Sequence, residues 1–374
     1  MKPAFLCLNP ARSSLRVSLE LALVMTLAVV SAQAHSITQL ASTVPSNGDV
    51  NPYGVAVVPT TTGSLVQGNI LVSNFNNSAN LQGTGTTIVQ ITPAGKVSLF
   101  SQIDASNLPG PCPGGIGLTT ALVALKSGWV IVGSLPTTDG MSDTAQAGCL
   151  LVLDSGGKVA ETFYGSLING PWDMTAADGG NNVALFVTNV LNGTVAAGGK
   201  VVNQGTVLRL NLGISQGSMP NLESMTIIGS GFSERTDPGA LVIGPTGVAL
   251  ARAGDHDGDG HTVLFVADSL NNRVTAISDP VNRTSSAGTG RTVTSGGALN
   301  DPLGLTIAPD GNIVTVNGND GFAVETSPDG HQIAKALLDS NGNPPGAGAL
   351  FGLAFEGSKL YYVDDATNTL NVAQ

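Results

Sequence analysis

The chain has 374 residues and a formal net charge of −11, with 11% charged residues, 4% aromatics, 49 glycines and a mean hydropathy of +0.22. Abundant Gly beside Val, Thr, Asn and Ser suits many short strands joined by tight turns, and an apolar chain with so few charges excludes intrinsic disorder. The acidic balance reaches −13 when residues 1–34, with Lys2, Arg12, Arg16 and Glu20, are removed; it would repel phosphate backbones and anionic bilayers, so neither nucleic acid nor membrane is an expected partner.

Residues 1–34 read as an export signal. Lys2, Arg12 and Arg16 precede an apolar run from Leu19 to Val30, interrupted only by Glu20, and Ala32-Gln33-Ala34 forms a small-residue cleavage site. No later stretch offers about 18 uninterrupted apolar residues, so no stable membrane insertion is expected. The product would be periplasmic or extracellular, a single domain over residues 35–374.

That domain is repetitive. Six apolar strands end in a short polar residue, at Asn74, Ser134, Asn189, Asp268, Asn317 and Asp364. Each is preceded by a strand introduced by Gly, Pro or Leu: PYGVAV from Pro52, GIGLTT from Gly115, PWDMTA from Pro171, PTGVAL from Pro245, PLGLTI from Pro302 and LFGLAF from Leu350. Each is followed by a third (TIVQI, CLLVL, TVLRL, RVTAI, FAVET, TLNVA). A fourth follows in five units, from Lys96, Lys158, Ser224, Arg291 and Gln332. Four strands per unit, at spacings of about 47 to 79 residues, predict an all-β six-bladed β-propeller. The sixth unit stops after three strands. Its fourth is expected from SITQLA at Ser36–Ala41, which would close the ring and remove free sheet edges.

Val263–Ile277, VLFVADSLNNRVTAI, is similar to the core of the NHL repeat, and PDGNIV at 309–314 fits that repeat's entry into its second strand. The resemblance implies a six-bladed ring in a family of binding platforms with a minority of enzymes. The architecture also resembles six-bladed lactonases and related metal hydrolases, which carry Asn, Asp or Glu ligands around the axis. The corresponding places here, one before each inner-strand glycine, hold Tyr53, Ile116, Trp172, Thr246, Leu303 and Phe351. Only Asp173, aligned with the glycines of the other units, is of ligand type, and one carboxylate does not make a divalent site.

Several residues carry candidate chemistry. Tyr53, Trp172 and Phe351, with Asp173, would form a mostly apolar axial funnel for a ligand, or alternatively pack as inner-strand core. The six strand-end residues either present a polar ring or bond their own turns. Asp255, Asp257 and Asp259, followed by Gly260, match the opening of a calcium loop; the twelfth position is Val266 and a strand follows, so the expectation is a structural calcium staple and not an EF-hand. Cys112 and Cys149, the two cysteines outside the signal, are expected to form a disulfide in an oxidising compartment. No G-x-S-x-G, H-E-x-x-H or phosphate loop is present. The loops Ala79–Gly85, Thr137–Gly148, Gly193–Gly205 and Asp279–Thr289 are candidate recognition segments. Two functions fit: a non-catalytic platform for a protein, glycan or small molecule, or a metal-dependent axial enzyme such as a lactonase-like hydrolase or a lyase.

Overall fold

The structure, a computed structural model, describes residues 36–215, 218–251 and 262–374. Asp255, Asp257 and Asp259 therefore lie outside the described residues, as does the 1–34 segment.

Six antiparallel sheets form the blades of a ring. Blade one comprises Val50–Val57, Ile70–Asn76, Thr87–Ile91 and Val97–Gln102, innermost first. Blade two comprises Leu118–Ala124, Val130–Ser134, Cys149–Leu153 and Val159–Phe163. Blade three comprises Pro171–Asp178, Asn182–Asn189, Val202–Gly213 and Asn221–Asp237, with Leu241–Ile243 added to the end of the last. Blades four and five run Pro245–Ala251, Val263–Asp268, Arg273–Ser278, Arg291–Ser295 and then Pro302–Ile307, Ile313–Asn317, Phe322–Thr326, Gln332–Leu337. Blade six comprises Leu350–Glu356, Lys359–Asp364 and Thr369–Ala373, completed by Ile37–Ser42.

Closure follows the sequence reading. Ile37 pairs with Ala373 and Thr38 with Val372, and Ser36 and Gln374 exchange backbone hydrogen bonds of 3.2 and 3.1 Å. The inner strands touch one another in ring order, blade six returning to blade one.

The burial pattern explains why the middle strands are continuous apolar runs. Val130–Ser134 and Cys149–Leu153 are buried at every position because each lies between two blades, whereas the outermost Gln332–Leu337 is mostly exposed. The apolar clusters accordingly bridge neighbouring blades: Leu71 and Ile88 of blade one meet Leu118 and Leu151 of blade two, and Phe186 and Val207 of blade three meet Val248 and Leu264 of blade four. Each fully buried Val or Leu of this kind contributes about 1.5–3 kcal/mol. Hydroxyls stitch the same seams, Ser73 donating to the Thr119 carbonyl (2.8 Å) and Thr188 to that of Thr246 (2.7 Å).

Two features differ from the sequence reading. The inner strand of blade two begins at Leu118 and not at Gly115, because the Ser134 hydroxyl accepts from the Gly117 amide and donates to the Gly115 carbonyl in place of a ladder partner. The outer strand of blade three, read as SMTII, runs 17 residues and folds back through a second short strand. Cys112 and Cys149 form the expected disulfide, which ties the loop before the inner strand of blade two to the start of its third strand. No helix among the described residues is long and apolar enough to cross a membrane.

Candidate functional site

The inner strands divide the axis into two zones. Four of the six residues that precede the glycine column share one apolar cluster, Ile116 packing in a neighbouring one and Thr246 being polar, and residues just after the column line a cavity.

Tyr53, Trp172, Leu303 and Phe351 are all buried in one cluster. Tyr53 stacks on Phe351 and on Phe75, with ring centroids 4.0 and 4.4 Å apart. Leu241 and Val242, from the fold-back of blade three, join the same cluster, as does Leu135 of blade two. The three aromatics singled out in the sequence are thus brought together, with the fold-back packed on them. Thr246 engages Ser269 and the Pro302 carbonyl, and burial keeps the Tyr53 phenol protonated, with the Asp365 carboxylate adding to the effect.

Beyond the cluster lies a cavity of about 280 Å³ lined by inner-strand residues of every blade, among them Val55, Leu122, Met174, Val248, Leu305 and Leu353. Asp173 is in its wall, 8% exposed. At the five aligned positions stands glycine, and for most of them the reason is close approach: a Cβ on Gly304 would lie 1.9 Å from the Phe351 carbonyl oxygen, and one on Gly247 2.2 Å from that of Leu303. Between blades three and four a carboxylate occupies that gap. Its Oδ2 accepts from the Val248 amide of blade four (2.9 Å) and its Oδ1 from the Met174 amide (2.8 Å). Burial raises the Asp173 pKa to about 7, the two amides holding it from going higher. The Thr120 hydroxyl, also buried in the lining, has no partner. At the rim the Lys126 amide and ammonium donate to Asp178, to its carboxylate at 2.6 Å and its carbonyl at 2.9 Å. Sequence reasoning found Asp173 through its misfit in the glycine column; Thr120 gave no signal, since nothing in TTALVA separates one inward Thr from the next.

Five of the six strand-end residues anchor loops. Asn74 donates to the Thr43 carbonyl and Ser134 to that of Gly115. Asp268 accepts from Arg273 at 2.6 Å, Asn317 accepts from the Asn300 amide, and Asp364 accepts from the Thr367 amide. Asn189 is fully buried and its side-chain amide has no partner on either atom. Of the expected recognition segments, Gly193–Gly205 is partly ordered structure, holding a one-turn helix at Thr194–Ala197 and the start of the strand at Val202.

A divalent ion at the axis would need several oxygen ligands. The axial places hold Tyr, Ile, Trp, Thr, Leu and Phe, and the single carboxylate, Asp173, spends an oxygen on each of two backbone amides. Among the described residues no three His, Cys, Asp or Glu side chains gather. The axial residues do not fit a divalent metal.

No protein-family model and no curated protein matches the sequence. Solved structures do match in fold. A gluconolactonase from Xanthomonas campestris superposes with a TM-score of 0.55 at 13% identity, over 91% of this chain and 89% of that one. A luciferin-regenerating enzyme gives 0.55 at 13%, over 91% and 95%. The calcium-binding protein regucalcin from Agrobacterium tumefaciens gives 0.52 at 12%, over 90% and 93%. At such identities the likeness establishes the six-bladed propeller and nothing finer.

Proposed function

We propose that this chain is a binding protein of the NHL-like kind whose ligand is a small, largely apolar molecule bearing one hydrogen-bonding head, held in the axial cavity. The observation that carries the reading is a concave chamber walled by all six inner strands, apolar side chains such as Val55, Leu122 and Leu353 alternating with polar ones, with Asp173 and Thr120 as its buried polar groups. A carboxyl titrating near neutrality accepts from an amine or hydroxyl when ionised and donates to a carbonyl when protonated. Ligand screening by thermal shift with apolar amines, alcohols and lactones tests this. Hits should stabilise the native chain and fail with Ala249→Trp, which fills the chamber; hits indifferent to that filling would sink the proposal.

A second reading rests on the same residue. Carboxyls with near-neutral pKa values in clefts suit general acid–base work, so Asp173 would be the acid–base group of a hydrolase or lyase. The three structural neighbours described above include two enzymes, which adds a fold analogy only. Turnover of a lactone or ester that Asp173→Asn abolishes, while ligand stabilisation persists, would put catalysis first.

Export and calcium complete the proposal. The disulfide suits an oxidising compartment, consistent with cleavage after Ala34. Calcium is assigned to the Asp255–Asp259 loop as a structural staple; chelation should lower the melting temperature, and Asp257→Ala should remove that sensitivity.

A further inference from the structure

Hairpin turns of blades two and three enclose a second cavity, of about 420 Å³. Its walls come from turns 125–129 and 154–158 of blade two and 179–181 of blade three, with Ile214 beside them. Lys126 lines both this cavity and the axial one, which places the two side by side. Trp129 stands in the wall, half-buried and packed against the apolar cluster that joins blades two and three. The turns are held in place from several sides. Asp154 Oδ1 accepts from the Gly156 and Lys158 amides at 2.9 and 3.0 Å, and Lys126 is tied to Asp178 across the seam between blades. The Ser64 amide of blade one donates to the Ser155 carbonyl (2.8 Å), and a Cβ on Gly128 would lie 2.8 Å from Thr62 Cγ2.

The cavity presents polar groups that the chain does not use on itself. Among the described residues the Trp129 indole N–H, Oδ2 of Asp154, the Asn181 amide and the Ser155 hydroxyl make no hydrogen bond. Those of Trp129, Asp154 and Ser155 are not enclosed, so they meet whatever enters. An apolar ligand would strand these groups. An anion would meet the Asp154 carboxylate on a chain of net charge −11, with Lys126 already engaged by Asp178. A divalent cation would find one free carboxylate oxygen where it needs several ligands. A neutral ring with C–H groups on its face and hydroxyls at its edge matches the indole and the polar groups together.

We propose that this cavity binds a neutral saccharide. The sugar ring packs on Trp129, whose amphipathic indole offers an apolar body and an N–H donor. One sugar hydroxyl donates to Oδ2 of Asp154 in a charge-assisted bond, and others pair with Asn181 and Ser155. The volume falls within the range of about 300–1,000 Å³ usual for small-ligand sites. The site is distinct from the axial chamber and stands whether or not the axial reading does.

The two tryptophans make the test direct. Trp172 is 4% exposed, so acrylamide quenching of the full mature chain reports Trp129. The probes are glucose, galactose, mannose, xylose and N-acetylglucosamine, with their disaccharides. At least one should lower the quenching about twofold at saturation as it covers the indole. Asp154→Asn keeps an acceptor for the Gly156 and Lys158 amides and replaces only the free oxygen; it should weaken the affinity about tenfold. Trp129→Ala, followed by calorimetry, should abolish binding, and Asp154→Asn decides the matter if that variant does not fold. Binding retained in Ala249→Trp supports the outer site, whereas binding lost there assigns the sugar to the axial chamber and overturns the proposal. Quenching unmoved by every saccharide, an affinity unchanged in Asp154→Asn, or protection by adenosine alone also overturns it.

Discussion

Asp173 illustrates how one side chain can serve two ends. Its carboxylate fills the gap that glycine closes elsewhere in the ring and links blade three to blade four through the Val248 amide. Asparagine in its place keeps the shape but turns one of the two acceptors into a donor facing an N–H, a loss of about 1–3 kcal/mol. The pH dependence separates this from a generic packing defect. The folded pKa of about 7 lies above the unfolded value near 3.8, so the native chain holds the extra proton and its stability falls as pH rises between the two. Asp173→Asn has no such proton to lose. Denaturant titrations should therefore find the variant clearly weaker than the native chain at pH 5 and the difference shrinking towards pH 9; a constant difference would mean that Asp173 is not buried as described.

At the scale of elements, the fold-back of blade three is the part that sequence patterning concealed. Phe232, Glu234 and Thr236 are buried at alternate positions while Ser233, Arg235 and Asp237 are less so, a strand period written mostly in polar residues and broken by Gly229 and Gly231. The repeated inner and middle strands were legible because their alternation is apolar and recurs six times. The returning strand of the fold-back begins at Leu241, at φ +60°, a left-handed conformation costing a branched side chain roughly 1–2 kcal/mol, yet Leu241 is 1% exposed in the cluster that also holds Tyr53 and Phe351. Burial outweighs strain: Leu241→Gly relieves the backbone but opens a void worth about 2–5 kcal/mol, so the net effect should be a loss of stability measurable by denaturant titration. A stabilised variant would instead place Leu241 outside the core. The disulfide acts on blade two in a different way. Cys112 and Cys149 are 37 residues apart, and closing a loop of that length restricts the unfolded chain by about 4 kcal/mol; replacing both by Ser should lower stability by no more than that amount and leave the blade's spectroscopic signature unchanged.

For the whole molecule, ring closure was readable because an incomplete sixth unit and a spare N-terminal strand are complementary facts of one sequence. The candidate site was less so: register located Asp173, but which carboxyls end up buried depends on packing between residues distant in sequence, such as Asp173 and Val248. Those buried carboxyls together set an unusual pH dependence. Burial raises Asp301 and Asp364 to about 6, Asp173 and Asp365 to about 7 and Glu234 to about 8, with neighbouring carboxylates adding to the rise at Asp301, Asp364 and Asp365. All five lie above their unfolded values, so between about pH 4 and pH 8 the folded chain binds more protons than the unfolded one, and stability falls with rising pH. Self-repulsion of a chain at −11 acts in the same direction. The melting temperature in chelator should thus decline steadily from pH 5 to pH 8, the reverse of an acidic protein held by salt-bridged carboxylates. A melting temperature that rises from pH 5 to pH 8 would show that these carboxyls are ionised and solvated in the native state, and would remove the ground for the axial acid.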